Sequence, residues 1–136
     1  MIKAFAWPVR VYYEDTDAAG VVYYANYLKF MERARTEWLR ALGFEQTALS
    51  REHHVMFVVR ALTLELLRPA LFNDALEVTV EPGGTRGSVI ELTQTVRRGG
   101  EVLVTSAVKV ACVNTGSFKP VRIPAPVVEK LAARRG

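Results

Sequence analysis

The sequence predicts an α+β domain in which one long helix lies on one curled antiparallel sheet. Three observations carry this. A single long segment near the N-terminus places apolar residues three and four apart, four consecutive β-rich segments follow it, and turn residues fall between those segments. Strands and helices do not alternate, so the order is not that of a parallel sheet built from β-α-β units.

The elements follow in chain order. Over residues 4–14, Val9, Val11 and Tyr13 alternate with Pro8, Arg10 and Tyr12, the pattern of a strand. It runs into the acidic stretch Glu14-Asp15-Thr16-Asp17 and the small-residue loop Ala18-Ala19-Gly20. Tyr24, Tyr27, Met31, Ala34, Trp38 and Leu42 then draw one apolar stripe along a helix, most simply the face that packs on the sheet. Leu28, Lys29, Met31, Glu32, Ala34 and Arg35 are good helix formers, and Gly43 stands where a left-handed residue ends the helix. A short second helix is expected over residues 46–52. Beyond His54 the strands are expected at 57–67, 75–81, 88–96 and 102–113, separated by Arg68-Pro69, Asn73-Asp74, Pro82-Gly83-Gly84 and Gly99-Gly100. Ile90, Leu92, Gln94 and Val96 form one face of their strand against Val89, Glu91, Thr93, Thr95 and Arg97. A terminal helix is expected over 124–135. No repeat or low-complexity tract interrupts the chain, which reads as one domain over 1–136. One helix covers only one face of such a sheet, so a second protomer is the expected cover for the other.

The 136 residues are 50% hydrophobic and 24% charged, enough to bury a core. Lys and Arg number 18 against 14 Asp and Glu, a net charge of +4. The basic residues are interleaved with Glu, so the concentrated basic face of a nucleic-acid binder is missing. The only cysteine, Cys112, excludes an intrachain disulfide and fits an inert buried thiol in a reducing compartment. No apolar run has the length of a membrane span or a signal-peptide core, and the expected location is the cytoplasm. The two histidines, His53 and His54, are adjacent and have no ligand spacing to Cys112, so neither a metal nor another cofactor is expected. They are expected on a loop after the second helix, as bland surface residues or at the edge of a neighbouring protomer's pocket. No GxSxG, P-loop or GxGxxG motif occurs, and Gly83-Gly84-Thr85-Arg86-Gly87 lacks the following helix that a phosphate cradle needs.

The chemistry concentrates between Tyr13 and Tyr27, where acids, a glycine loop and a helix start coincide. Amides at a helix start point unpaired N–H groups outward and favour negative charge. A carbonyl held there is polarised, and a neighbouring Asp can attack it or activate water, which gives acyl transfer without Ser, Cys or metal. Asp15 and Asp17 can equally be caps or Asx turns. On residue chemistry alone both readings stand.

The pattern Asp15-x-Asp17-x-x-Gly20-x-Val22-x-Tyr24, continuing through Asn26-Tyr27-Leu28 and Glu32-Arg33-Ala34-Arg35-Thr36-Glu37, resembles the active-site signature of the 4-hydroxybenzoyl-CoA thioesterase family, in its YbgC-like branch. Phe57-Val58-Val59-Arg60, Arg68-Pro69-Ala70 and Asp74 extend the likeness over nearly the whole chain. The resemblance implies a hotdog fold, a curved antiparallel sheet of about five strands around one long helix. It also implies hydrolysis of short-chain or aromatic acyl-CoA by a homodimer or homotetramer. By motif position, Asp17 is the catalytic carboxylate, as nucleophile or general base. The backbone N–H of Tyr24 polarises the thioester carbonyl, and Gly20 keeps the loop tight. YbgC-like members often carry His at the position of Tyr24; tyrosine is the aryl-thioesterase version. Thr85-Arg86-Gly87-Ser88 is similar to a family site near the nucleotide of coenzyme A, with Arg86 the expected contact and Ser88 beside it; a solvated turn arginine is the plain alternative. Val58 and Val59 either line the acyl channel or, as valines commonly do, pack the core. A hotdog dehydratase relies on a His at the helix start, and none lies between Met1 and Glu52. The alternative of another class is a partner of acyl carrier protein, or a scaffold in cell-envelope and phospholipid synthesis, with weak hydrolysis.

Overall fold

The computed structural model describes residues 5–135; Ala4, the first residue of the expected opening strand, lies outside them. Strand β1 (Phe5–Arg10) leads through a short 3-10 turn (Tyr13–Asp15) and a loop into helix α1 (Asn26–Ala41) and helix α2 (Gln46–His53). Strands β2 (Val55–Leu62), β3 (Glu65–Leu66), β4 (Ala75–Arg86), β5 (Val89–Arg98) and β6 (Glu101–Asn114) follow, and helix α3 (Ala125–Arg135) closes the chain. The sheet runs β1-β4-β5-β6-β2, and two-residue β3 also pairs with β6; every pairing is antiparallel.

Helix α1 forms because its apolar stripe has somewhere to go. Tyr27, Phe30, Met31, Ala34, Trp38 and Leu39 are buried against Leu76, Val78 and Val80 of β4 and Ile90, Leu92 and Val96 of β5. Full burial of residues such as Phe30 or Met31 contributes about 1.5–3 kcal/mol each. Gly43 ends the helix at φ +98°, and its N–H reaches the Arg40 carbonyl. On α3, Val127 and Leu131 are buried in the same core.

Four expectations change. The one strand expected over 57–67 divides into β2 and the two-residue β3, which pair separately with β6. The opening strand stops at Arg10, because Val11 turns inward (1% exposed) and Tyr13–Asp15 coil into the 3-10 turn. Tyr24 leaves the apolar stripe: it precedes α1 and is 57% exposed, its ring beside that of Tyr23 at 5.0 Å. Pro82-Gly83-Gly84 is no turn. Strand β4 continues through it to Arg86, absorbing one extra residue as a bulge between Pro82 and Thr85. The hairpin turn is Gly87-Ser88, with Gly87 at φ +61° and Arg86 paired to Val89. Glycine at 83 serves close approach instead, since a Cβ there would stand 3.2 Å from the Glu91 carbonyl oxygen.

The alternation predicted along β5 holds, and it carries a polar residue inward. Gln94 is 0% exposed, its amide donating to the carbonyls of Met31 (3.2 Å) and Thr79 (3.3 Å) while its oxygen accepts from Arg35 (3.0 Å). The bonds with Met31 and Arg35 tie α1 to the sheet at mid-helix, and the bond to Thr79 joins β5 to β4.

Candidate active site

The two acids of the Asp-x-Asp pair have different surroundings. Asp15 is 8% exposed, and its carboxylate accepts from the Tyr12 N–H at 2.8 Å and from the Asn26 side-chain amide at 2.9 Å. Its backbone carbonyl accepts from the Tyr23 N–H at 2.9 Å. Asp15 therefore fastens the 3-10 turn to the first residue of α1. Asp17 is exposed, with one carboxylate oxygen accepting from the Ala19 N–H at 2.8 Å in an Asx turn. Its other carboxylate oxygen has no hydrogen-bond partner among the described residues.

The loop that carries Asp17 is closed on itself. The Asp17 N–H donates to the Val21 carbonyl, and the Gly20 N–H donates back to the Asp17 carbonyl at 3.0 Å. Gly20 sits at φ +82°, a conformation that L side chains resist. Bridges Thr16 to Val22 and Val21 to Leu71 clamp the loop from both sides. The Val22 N–H donates to the Ala70 carbonyl, and the Ala70 N–H donates to the buried Tyr27 hydroxyl at 3.1 Å, so the segment around Arg68-Pro69-Ala70 braces the loop. Asp74 holds the same segment through the Leu71 N–H at 2.8 Å and Arg98 at 2.7 Å.

Where the loop meets α1, the amides of Asn26, Tyr27 and Leu28 donate to the carbonyls of Tyr23, Tyr24 and Ala25. The N–H groups of Tyr24 and Ala25 have no partner among the described residues. Ala25, at the N-cap, offers no capping side chain, so unpaired donors remain where negative charge is favoured. Asp17 and Gly20 share a hollow of about 470 Å³ with Tyr13, Thr16, Ala18 and Phe72, the Tyr13 and Phe72 rings meeting edge to face at 5.4 Å. Neither ring was singled out by the sequence; they meet because the segment after β1 lies beside the segment before β4, where Val11 exchanges backbone hydrogen bonds with Asn73 and Asp74.

The remaining expected site residues lie elsewhere on the chain. Val58 and Val59 are 37% and 41% exposed, so the core placement expected of valines does not hold. They lie on the edge strand β2 and line a groove of about 280 Å³ between that strand and α1, together with Arg35, Trp38 and Phe57. Arg86 lines a third hollow, of about 390 Å³, with Thr85, Arg60, Lys109 and Glu91. Arg60 arrives there from the bulge that shifts β2 against β6 between Val59 and Ala61, a convergence of cations that spacing along the chain does not reveal. Ser88 sits at the hairpin tip outside that hollow's wall, its carbonyl accepting from the Cys112 N–H at 2.7 Å. His53 closes α2, and His54 follows at φ 57°, so the pair caps a helix where a loop was expected. Cys112 is buried, and burial pushes its thiol above the ordinary range. No helix is long and apolar enough to cross a membrane among the described residues.

Residues 11–131 match the model of the thioesterase-like superfamily. The chain is 48% identical over 125 residues to the acyl-CoA thioesterase YbgC of Haemophilus influenzae, covering 92% of each chain. Among solved structures it is similar to a probable thioesterase from Bartonella henselae, with 36% identity, a TM-score of 0.86, and coverage of 90% of this chain and 100% of that one. It is also similar to a gentisyl-coenzyme A thioesterase, with 28% identity, a TM-score of 0.82, and coverage of 90% and 98%. The curved antiparallel sheet around α1 is the hotdog fold of these structures.

Proposed function

The chain belongs to the thioesterase-like superfamily, as a YbgC-like member, and from that membership we infer the reaction and the residues that perform it. The protein is an acyl-CoA thioesterase: water and an acyl-CoA give a free acid and the thiol of coenzyme A. In the proposed mechanism the thioester carbonyl lies against the Tyr24 N–H, which stabilises the negative charge that develops on oxygen. Asp17 supplies the carboxylate. As general base it takes a proton from water while the water oxygen bonds to the carbonyl carbon; as nucleophile it forms an acyl anhydride that water then cleaves. In either route the C–S bond breaks and the sulfur leaves as thiolate to be protonated. Gly20, at φ +82°, holds the curvature of the loop that carries Asp17.

The single observation that carries this reading is the division of labour in the acid pair: Asp15 is taken up by Tyr12 and Asn26, while Asp17 keeps a carboxylate oxygen open in its hollow. Substrate binding follows from the other two surfaces. Val58 and Val59 line the acyl channel for short-chain or aromatic groups. Arg86, joined by Arg60 and Lys109 and flanked by Ser88, receives the phosphates of coenzyme A. The three surfaces lie apart on one chain, and a second copy of this single hotdog domain, in a dimer or tetramer, brings one protomer's Asp17 to the other's channel.

Thiol release from acetyl-, butyryl-, longer acyl-, benzoyl- and 4-hydroxybenzoyl-CoA tests the proposal, comparing the native protein with Asp17→Asn. A loss of about 10²- to 10⁴-fold in kcat with folding intact is expected for removal of the acid–base group. Undiminished turnover in Asp17→Asn refutes the assignment. Arg86→Ala is expected to raise KM and leave kcat nearly unchanged.

A further inference from the structure

Resting on the reading that Val58 and Val59 line the acyl channel, the geometry points to Arg35 as a specificity-determining residue that selects acyl groups ending in a carboxylate. Arg35 lines the same groove as those valines, on the wall made by α1, with Trp38 and Phe57 supplying apolar surface. Its side chain is half-buried and is held from below by the buried Gln94, whose oxygen accepts one guanidinium N–H at 3.0 Å. Gln94 in turn is fixed by donating to Met31 and Thr79, so the guanidinium rests on an ordered mount.

The other two guanidinium nitrogens have no partner among the described residues, and neither is fully buried. Arg35 forms no ion pair: the salt bridges of the described residues involve Arg40, Arg68 and Arg98. Burial lowers its proton affinity and the charge of Glu32, one turn earlier, raises it, but an arginine remains a cation at neutral pH. Glu32 also borders the groove, so the anion must meet the guanidinium directly, through the fork geometry that arginine offers a carboxylate. A methyl-terminated acyl chain instead leaves these donors facing hydrocarbon. Arg35 is mounted on a neutral amide and not on an acid, so its charge stays available to an anion.

The test compares two pairs of substrates, glutaryl-CoA against pentanoyl-CoA and adipoyl-CoA against hexanoyl-CoA, after subtraction of the enzyme-free rate. It uses native protein, Arg35→Met and Arg35→Lys. The readout is the ratio of kcat/KM for the carboxyl-ended member to that for the methyl-ended one. Each ratio comes from one preparation, so a general loss of folded protein cancels. The native ratio is expected to exceed one, to fall by roughly 10- to 100-fold in Arg35→Met, the worth of one charge-assisted hydrogen bond, and to recover in part in Arg35→Lys. A native ratio of one or less, or a preference that survives Arg35→Met, overturns the inference. Binding of non-hydrolysable thioether analogues with the same two chain ends, read by calorimetry, separates the two readings. Carboxyl preference through Arg35 without turnover sinks the proposed reaction and sustains this site; turnover with no end-group preference in rate or binding does the reverse.

Discussion

Removal of the Asp15 carboxylate, as in Asp15→Ala, is expected to damage stability where the same change at Asp17 damages catalysis. The Asp15 carboxylate accepts two hydrogen bonds, from the Tyr12 N–H at 2.8 Å and the Asn26 amide at 2.9 Å. Bonds to a charged acceptor are worth about 1.5–3 kcal/mol each. Tyr12 is 61% exposed and its amide can turn to water, so the lower end of the range applies there. The sum is about 3 kcal/mol, and in a domain of this size each kilocalorie lowers the melting temperature by about 3–5 °C, so a fall of roughly 10 °C is expected. Asp17→Ala gives up one bond, to the Ala19 N–H in an exposed loop, and should cost about 0.5 kcal/mol and no more than about 2 °C. Thermal unfolding followed by far-ultraviolet circular dichroism, repeated as a urea titration, reads both. A double-mutant cycle of Asp15→Ala with Asn26→Ala should show a coupling of about 1 kcal/mol. Equal loss of stability at the two positions, or a melting temperature within 2 °C of native for Asp15→Ala, would refute the division of roles.

Three further outcomes follow from the same packing. Gln94→Leu strips the Met31 and Thr79 carbonyls and the Arg35 guanidinium of a buried partner, and should cost about 2–3 kcal/mol in urea unfolding; a loss below 0.5 kcal/mol would show the network to be dispensable. Of the two bulge glycines, Gly84→Ala meets open space and should be neutral or slightly stabilising, whereas Gly83→Ala is pressed to 3.2 Å from the Glu91 carbonyl oxygen and should cost about 1 kcal/mol; the opposite order in melting temperature would exclude this account of β4. Burial raises the Tyr27 phenol above its ordinary 10.0, with opposing help from the Ala70 bond and Arg98. Above pH 10 the unfolded chain therefore loses a proton that the native state retains, and stability should fall as pH rises through that window. Tyr27→Phe should flatten this alkaline fall while lowering stability at neutral pH by about 1–2 kcal/mol, because the buried Ala70 N–H loses its acceptor.

Much of this protein was legible along the chain, for a physical reason: helix periodicity, strand alternation and turn chemistry are read over a few neighbouring residues. The stripe from Tyr27 to Leu42, the inward face Ile90, Leu92, Gln94 and Val96, and the stop at Gly43 are all of that kind, and the structure has each of them. Where local signals compete, the sequence misleads. Pro82-Gly83-Gly84 carries turn chemistry, yet pairing with β5 before and after it holds β4 extended, and the extra residue is absorbed as a bulge.

The family and its reaction were also legible, through the resemblance of Asp15-x-Asp17-x-x-Gly20 and its continuation to a known signature, whereas residue chemistry alone left caps and Asx turns standing beside acyl transfer. How each acid is held was decided only by tertiary structure. Asp15 is withdrawn by Asn26, eleven residues away across a folded loop, and Asp17 is left exposed. The same holds more strongly for Arg35, whose partner Gln94 stands 59 residues off, and for Arg60, which joins Arg86 and Lys109 only through a strand bulge. Such placements depend on which surfaces the sheet and helix bring together, a property of long-range packing that no local pattern encodes.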